Sequence, residues 1–577
     1  YGTDTVRTSF NVRFCAGNYT MGAGSTYDYH SFGEAIDSLE VAGIDGPVVF
    51  MVAGGIYNEQ VVLGEIEGSS PQNKITFRGS SDSVALVKAV NTAQANYVVN
   101  IDGLSNIEFD NLQMVSRPAG SANTAHVMVL QNTGNVTVRN SVLRVKGSVH
   151  HQNGSCIMLQ GNVRKLQLVS NVLDSGYYSL SFANNTNGYE DFSIQGNTCT
   201  NFNLASINLK GLKGLNINKN VIRSEYRGKL TGIILENIDS IIRVQKNKIY
   251  LLGALTGANS VIDGFGKRGV ELKSVSGNNQ QCALVTNNMI SASSNGVSGQ
   301  DPVGIFIDGT SSYINVYYNT VRVYAGASDV TKSKALFTGA QTSHLQVMNN
   351  ILSNFSGAYA YYITSSNNIT SSDYNDYYAA GEKFAYWGGA DRADLSELQV
   401  AGTRYGSSLD EEPYFVANDD LHLSMTNFVS KGQYNTDVID DIDDEIRSQM
   451  PSPTLGADEM RRLNHNMSVV RIISPTMPVD TNFPGDAMPP NIEGDSVLVK
   501  AVFYNNGNST ETNIRWHAYV VGHEGVTTSV VRNLGTFYIG QLMIDSVWMP
   551  TTLGIIGVQT VMVEFVDFVD DSIPDNS

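Results

Sequence analysis

The chain has 577 residues, of which only 16% are charged, and a formal net charge of −18. That acidic balance excludes bulk nucleic-acid binding, which rests on a basic surface. No run of 18 or more apolar residues occurs, which excludes a membrane-spanning helix. The length suits a large solenoid with something attached, and the Gly-, Asn-, Ser- and Thr-rich composition is that of an extracellular β-rich protein. The four cysteines, Cys15, Cys156, Cys199 and Cys282, show no CxxC spacing, so zinc and redox motifs have no footing. Cys156 reads as a free thiol sharing an inward face with Met158.

In chain order, Ser9–Phe14 alternates like a strand that either ends a preceding domain within residues 1–30 or opens this one. Ser31-Phe-Gly-Glu34 is a capping box, and Phe32, Ala35, Ile36 and Leu39 follow at helical spacing with Gly43 beyond. Gly46-Pro47 stops the helix before a buried strand, Val48–Val52. A short helix at 31–43 would cover the open edge of a first coil.

From about 107 to 352 one pattern keeps returning: apolar-x-apolar, one or two polar residues, then Asn. It reads Val136-Thr-Val138 to Asn140, Leu166-Gln-Leu168 to Asn171, Phe192-Ser-Ile194 to Asn197, Leu215-Asn-Ile217 to Asn220 and Ile242-Arg-Val244 to Asn247. It continues at Leu284 to Asn287, Ile314-Asn-Val316 to Asn319 and Leu345-Gln-Val347 to Asn350. A period of this size indicates a solenoid whose units bury their apolar faces only by stacking. Alternation of two within each unit indicates strands. A second strand usually precedes each, as in Ile207-Asn-Leu209, so two or three short strands per turn describe a parallel β-helix spanning 31–460. The Asn residues either stack as an inward ladder of paired amides or serve as turn formers tolerant of left-handed backbone.

Several stretches carry a resemblance. Tyr19-Thr-Met-Gly, Tyr27 to Ile36, Gly46-Pro-Val-Val-Phe and Gly55 to Gln60 resemble the opening of pectate-lyase-like right-handed parallel β-helix proteins secreted by Bacteroidota. Asp373 to Tyr378, Ala385-Tyr-Trp387, Glu412 to Val416, Asp420 to Leu423 and Thr454 to Glu459 resemble that group's last coils. The resemblance covers about residues 15 to 460. It implies the fold and secretion, including a type IX export route, but no activity, because lyases, hydrolases, esterases and non-catalytic surface proteins share the fold.

After about 465 the repeat stops. Met467–Ile473, Asp495–Tyr504, Asn513–Val520 and Val558–Phe565 read as longer strands between turn-rich loops, an antiparallel sandwich over 465–577. Asn505-Asn-Gly-Asn508 and Asp570 to Asn576 make it resemble bacterial adhesion-type Ig-like domains. Thr476–Pro490 would be a linker or early loop. The chain begins Tyr1-Gly-Thr and ends Asp-Asn-Ser, so both ends read as cut from something longer.

For chemistry, no esterase, polygalacturonase or calcium-lyase arrangement of carboxylates is found, and no catalytic residue is assigned. Between Arg139 and Lys248 there are 14 Lys or Arg against 6 Asp or Glu. Lys219, Arg223, Arg243 and Lys246, with Tyr318, are therefore the candidate contacts for an anionic glycan or acidic partner; solvated strand edges are the plainer reading. The aromatic set Tyr359, Tyr361, Tyr362, Tyr374, Tyr377, Tyr378, Phe384, Tyr386 and Trp387 could stack on sugars, with core packing the stronger expectation. No cofactor is expected, although the acidic loop around Asp440, Asp441, Asp443 and Asp444 could hold calcium. Asp followed by Ser or Thr and an apolar residue resembles an O-glycosylation signal at Thr5, Ser38, Ser83, Ser240, Ser496, Ser546 and Ser572, of which Ser38 falls inside the predicted helix. The leading expectation is a non-catalytic secreted or cell-surface module for adhesion or glycan binding, with a polysaccharide or a protein of a surface or export assembly as partner. The alternatives are a uronate lyase drawing its base from Lys219, Arg223 or Arg243, and a segment of an extracellular filament.

Overall fold

The computed structural model describes the chain except residues 1–12, 81–84, 93–94, 119–124, 147–153, 183–187, 227, 253–265, 295–301, 326–331, 451, 461–462, 476–491, 494–495, 523–524, 551–559, 567 and 569–577. Two compact units are distinguished: Tyr1–Glu411 with Asp440–Asp444, and Glu412–Ile439 with Glu445–Ser577.

The first unit is a right-handed parallel β-solenoid of about eleven turns, whose third strands form one 12-stranded sheet. A representative turn runs through Ala205–Lys210, Leu212–Asn218 and Val221–Ser224, giving the solenoid three faces. The first and second faces merge into one sheet because long strands such as His126–Arg139 and Leu230–Gln245 continue through the corner between them. Parallel pairing extends to the bridge Asp376↔Leu409, beyond which the described pairings are antiparallel.

The recurring motif is the second face. Its apolar residues register turn upon turn, Val138↔Leu168↔Ile194↔Ile217↔Val244↔Val285↔Val316↔Val347, and all are buried. Each such side chain contributes on the order of 1.5–3 kcal/mol through burial. On the first face a column of small residues, including Gly232, Gly269 and Gly304, lies under the third face. A Cβ on Gly304 would sit 2.1 Å from Val321 Cγ1, and one on Gly269 2.2 Å from Ile290 Cγ2. Cys156 begins that column and is buried and free. Its burial comes from this inward column and not from a face shared with Met158, since Met158 pairs with Ser181 and meets its hydroxyl, while Ile157 and Leu159 fill the interior.

The asparagines form an internal ladder through Asn171, Asn197, Asn220, Asn247, Asn288, Asn319, Asn350 and Asn375, each 0–1% exposed. Each amide Nδ2 donates to the Oδ1 of the next at 2.9–3.0 Å, and the backbone N of each donates to that same oxygen. Ser141 N meets the first rung, and Asn375 Nδ2 donates to Tyr377 Oη at the last. Two expected rungs are displaced by one residue. Asn140 and Asn287 have φ of 51° and 54° and supply the left-handed turn residue, while Ser141 and Asn288 take the inward place. At that turn Ala283 and Val285 register with the interior row and Leu284 faces outward.

The expected helix spans Phe32–Ala42. Ser31 Oγ accepts from Glu34 N at 3.0 Å, and Glu34 returns the bond to His30 N at 2.7 Å. Glu59, from the resembling stretch Gly55 to Gln60, accepts from Phe32 N and Gly33 N, placing negative charge at the positive helix end. A second helix, Leu395–Ala401, capped by Asp394, was not expected.

The second unit contains a four-stranded and a three-stranded antiparallel sheet sharing one apolar core around Val499, Phe503, Trp516 and Phe537. The four expected strands occur as Met467–Ser474, Ser496–Asn505, Glu511–Gly522 and Thr560–Val566, and Gly525–Phe537 and Leu542–Pro550 add to them. Glu459 is buried against Arg447 Nη1 at 3.2 Å, which explains the closing stretch Thr454 to Glu459 as a packing element. Most of the expected first strand, residues 9–12, and the expected linker, residues 476–490, lie outside the described residues.

Candidate functional site

The expected basic face is divided between surfaces. Lys219 and Lys246 occupy successive left-handed positions on the corner between the second and third faces, with φ of 55° each. Arg243 lies on the second face and Arg223 on the third. Tyr318 takes the same corner position further along but is buried.

These lysines are met by the expected calcium loop. Lys219 Nζ bonds Asp444 Oδ2. Lys246 Nζ lies 2.8 Å from Asp440 Oδ2 and 2.7 Å from Asp444 Oδ1, and Lys248 Nζ lies 3.2 Å from Asp443 Oδ1. Asn287 Nδ2 donates to the Asp440 carbonyl at 2.8 Å. The Lys219 and Lys246 ammoniums hold the Asp444 carboxyl below its usual range. Asp441 is buried and accepts from Asp443 N. With three ammoniums in place, these carboxylates do not fit a calcium ion, which requires six to eight oxygen ligands. The acidic loop and two of the expected cationic contacts, Lys219 and Lys246, read separately in the sequence, are thus parts of one ion-pair cluster. Arg223 bonds Glu225 at 3.1 Å, and Arg243 donates to the carbonyls of Ile242 and Cys282.

Two further charge sets were missed. On the second face Arg139 Nη2 bridges Glu108 Oε1 at 2.8 Å and Asp110 Oδ2 at 3.0 Å, with Lys74 on Glu108 and Arg78 on Asp110. On the first face Glu271 binds Arg268 at 3.0 Å and Lys273 at 2.5 Å, and Lys210 binds Glu236 at 2.5 Å. Burial pushes the neighbouring Lys267 ammonium down to about 7 against the pull of Glu225. Near-neutral titration suits a general base, but Lys267 is fully enclosed and cannot touch a polymer in this conformation. The signal was available: Thr76-Phe-Arg78, Glu108-Phe-Asp110 and Glu271-Leu-Lys273 place polar groups at alternate, outward strand positions.

The remaining outer surface of the second face is mostly uncharged. Thr137, Gln167, Ser193, Asn216, Arg243, Leu284, Asn315 and Gln346 form one register column. Among the described residues, Asn216 Oδ1, Asn315 Oδ1 and, in the adjoining column, Asn218 Oδ1 have no hydrogen-bond partner. Beside Asn216 the corner opens into a cleft of about 390 Å³ lined by Glu190, Asp191, Ser193, Lys213, Asn216 and Ile241, among others.

The aromatic set splits. Tyr361, Tyr377, Phe384 and Trp387 belong to the core. Tyr362 and Tyr386 continue an outward stack with Phe337 and Phe306, at centroid separations of 4.5–5.6 Å. Rings stacked on one another cover the faces a sugar would need. Of the glycosylation candidates, Ser240 is exposed at a left-handed corner and also lines the cleft. Ser496 and Ser546 are half-buried on strands, and Ser38 Oγ donates to Glu34 O within the helix. Thr5, Ser83 and Ser572 lie outside the described residues.

No protein-family model and no curated protein matches this chain in sequence. Among solved structures, the complex of XylC with xylose is similar over 77% of this chain and 98% of that one, with 9% identity and a TM-score of 0.36. A mannuronic acid specific polysaccharide family 6 lyase from human gut microbiota covers 68% and 91%, with 9% identity and a TM-score of 0.31. The pectin methylesterase PemA from Erwinia chrysanthemi covers 68% and 95%, with 12% identity and a TM-score of 0.22. These likenesses assign neither ligand nor reaction to this chain.

Proposed function

We propose that this chain is a non-catalytic glycan-binding module of a longer, exported surface protein. The supporting observation is what the outer surface leaves unsatisfied. Its cationic groups are largely matched within the chain, whereas the amide oxygens of Asn216, Asn218 and Asn315 are tucked in along one face without a hydrogen-bond partner. Asn216 and Asn315 stand three turns apart, roughly 14 Å at one strand spacing per turn. Sugar hydroxyls are the donors that such a line of acceptors suits once each amide turns outward to meet them.

In this reading the helix Phe32–Ala42 covers the edge of the first turn, and the second unit's two sheets are an Ig-like spacer in a secreted Bacteroidota adhesin. Affinity electrophoresis against a panel of soluble polysaccharides tests it. Retarded migration without any rise in the ultraviolet absorbance of unsaturated sugar is expected. Free migration in every gel, or a steady absorbance rise marking lyase turnover, would sink it.

A further inference from the structure

We propose that the corner cleft is a subsite for an uncharged sugar unit and that it discriminates against uronates; this deepens, and rests on, the glycan-binding reading. Three independent features converge there.

The first is shape. The cleft, of about 390 Å³, lies where the left-handed corner residues Asp191, with φ of 56°, and Gly214, with φ of 76°, stack on consecutive turns. A Cβ at Gly214 would lie 2.8 Å from Asp191 Oδ1. Glycine therefore lets the Asp191 carboxylate fold against the wall, and no side chain stands at the corner position of the next turn.

The second is hydrogen-bonding character. Ser193 and Asn216 are register partners on the cleft side of the second face. Asn216 Oδ1 lacks a partner among the described residues. A ligand hydroxyl, reached by a small turn of the amide, would relieve an acceptor whose burial is otherwise uncompensated. Ile241, on the same rim, is 47% exposed and offers an apolar surface to the C–H side of a ring.

The third is charge. Glu190 and Asp191 line the cleft against one ammonium, Lys213, and the guanidinium of Arg164 approaches Glu190 only to 3.7 Å. A uronate carboxylate would enter beside two carboxylates, and like charges at such range repel. A neutral ring meets donors and acceptors without that penalty. The preference is therefore opposite to what the count of lysines and arginines in this stretch of sequence suggests.

The test is calorimetric titration of the whole chain with neutral gluco-, manno- and xylo-oligosaccharides and with oligouronates. A neutral series should bind, oligouronates should bind at least tenfold more weakly, and Ser193→Phe, which fills the cleft, should weaken the neutral ligand at least tenfold. Glu190→Gln with Asp191→Asn should raise uronate affinity severalfold and so narrow the gap between neutral and uronate ligands; this second variant retains its force if Ser193→Phe folds poorly, and an unchanged gap would overturn the discrimination. Neutral binding untouched by a folded Ser193→Phe, or a parent preference for uronates, overturns the subsite and leaves the glycan reading standing. Failure to bind any member of either series, together with free migration in the polysaccharide gels, overturns both.

Discussion

The turn between the second and third faces has an inside and an outside, and the two obey different rules. Inside, eight successive rungs from Asn171 to Asn375 carry the same side chain. Outside, one residue earlier in each turn, the left-handed position is held by Ser170, Gly196, Lys219, Lys246, Asn287, Tyr318, Asn349 and Tyr374. The inner place is fixed by chemistry, because a short amide accepts from two donors of the preceding turn while its Nδ2 donates to the next rung. The outer place is fixed only by backbone conformation, which Asn and Gly adopt most easily but other residues tolerate at a cost of roughly 1–2 kcal/mol. Constraint therefore repeats on one side and contact chemistry varies on the other.

Replacing a middle rung should break the inner rule most severely. Asn220→Ala leaves Ile194 O and the backbone N of Asn197 without the partners they now have at 2.8 and 2.9 Å. At about 1–3 kcal/mol for each buried group left unsatisfied, a loss of roughly 3–5 kcal/mol is expected in denaturant unfolding. Ser170→Gly, at an exposed outer position with φ of 55°, should change stability by less than about 1 kcal/mol. Equal losses in the two variants would mean that the ladder is not what holds the turn.

A buried imidazole sharpens the same contrast, because burial without a counter-charge disfavours the charged form. His126 is 3% exposed, its Nδ1 accepts from Ser155 N at 3.2 Å, and burial pushes its pKa down to about 4. The unfolded imidazole takes up its proton near 6.5, so stability is retained above that pH, falls as pH drops from about 6.5 to about 4, and levels off below. The shift corresponds to about 3 kcal/mol. His126→Gln, which keeps an acceptor and removes the titration, should flatten the melting temperature across that window. A parent that shows no slope there would mean His126 is not held neutral.

These positions also show what was readable in the sequence. The alternation Leu215-Asn-Ile217 and the recurrence of Asn specify the faces and their period, because each turn must meet the same interior. The ladder was misread by one residue at Asn140 and Asn287, since Asn satisfies both the inward and the left-handed place and a doublet such as Asn287-Asn288 does not say which is which. The partner of Lys246 was not readable at all. Asp440 and Asp444 lie nearly two hundred residues further along the chain, and ion pairing at that range leaves no local pattern. The outward charges of Glu108, Asp110 and Glu271 were legible as strand alternation but are informative only once register stacks them against Arg139 and Arg268.

The smallest effects separate the two corner lysines. Lys246 is 7% exposed and faces two carboxylates, so Lys246→Met leaves Asp440 and Asp444 repelling each other at a partly wet site; a cost of about 1–2 kcal/mol is expected, shrinking in high salt. Lys219 is 39% exposed, and its single bond to Asp444 contributes on the order of 0.2–1 kcal/mol. Lys219→Gly loses that bond but relieves left-handed strain of comparable size, so its denaturation midpoint should stay close to the parent's at low salt. Lowering the pH through the depressed Asp444 pKa should abolish the cost of Lys246→Met, since the protonated loop no longer needs the ammonium. If both lysine variants instead cost the same at every salt concentration, the outer corner would be held by packing, and the division between a chemically fixed inside and a freely varying outside would not describe this turn.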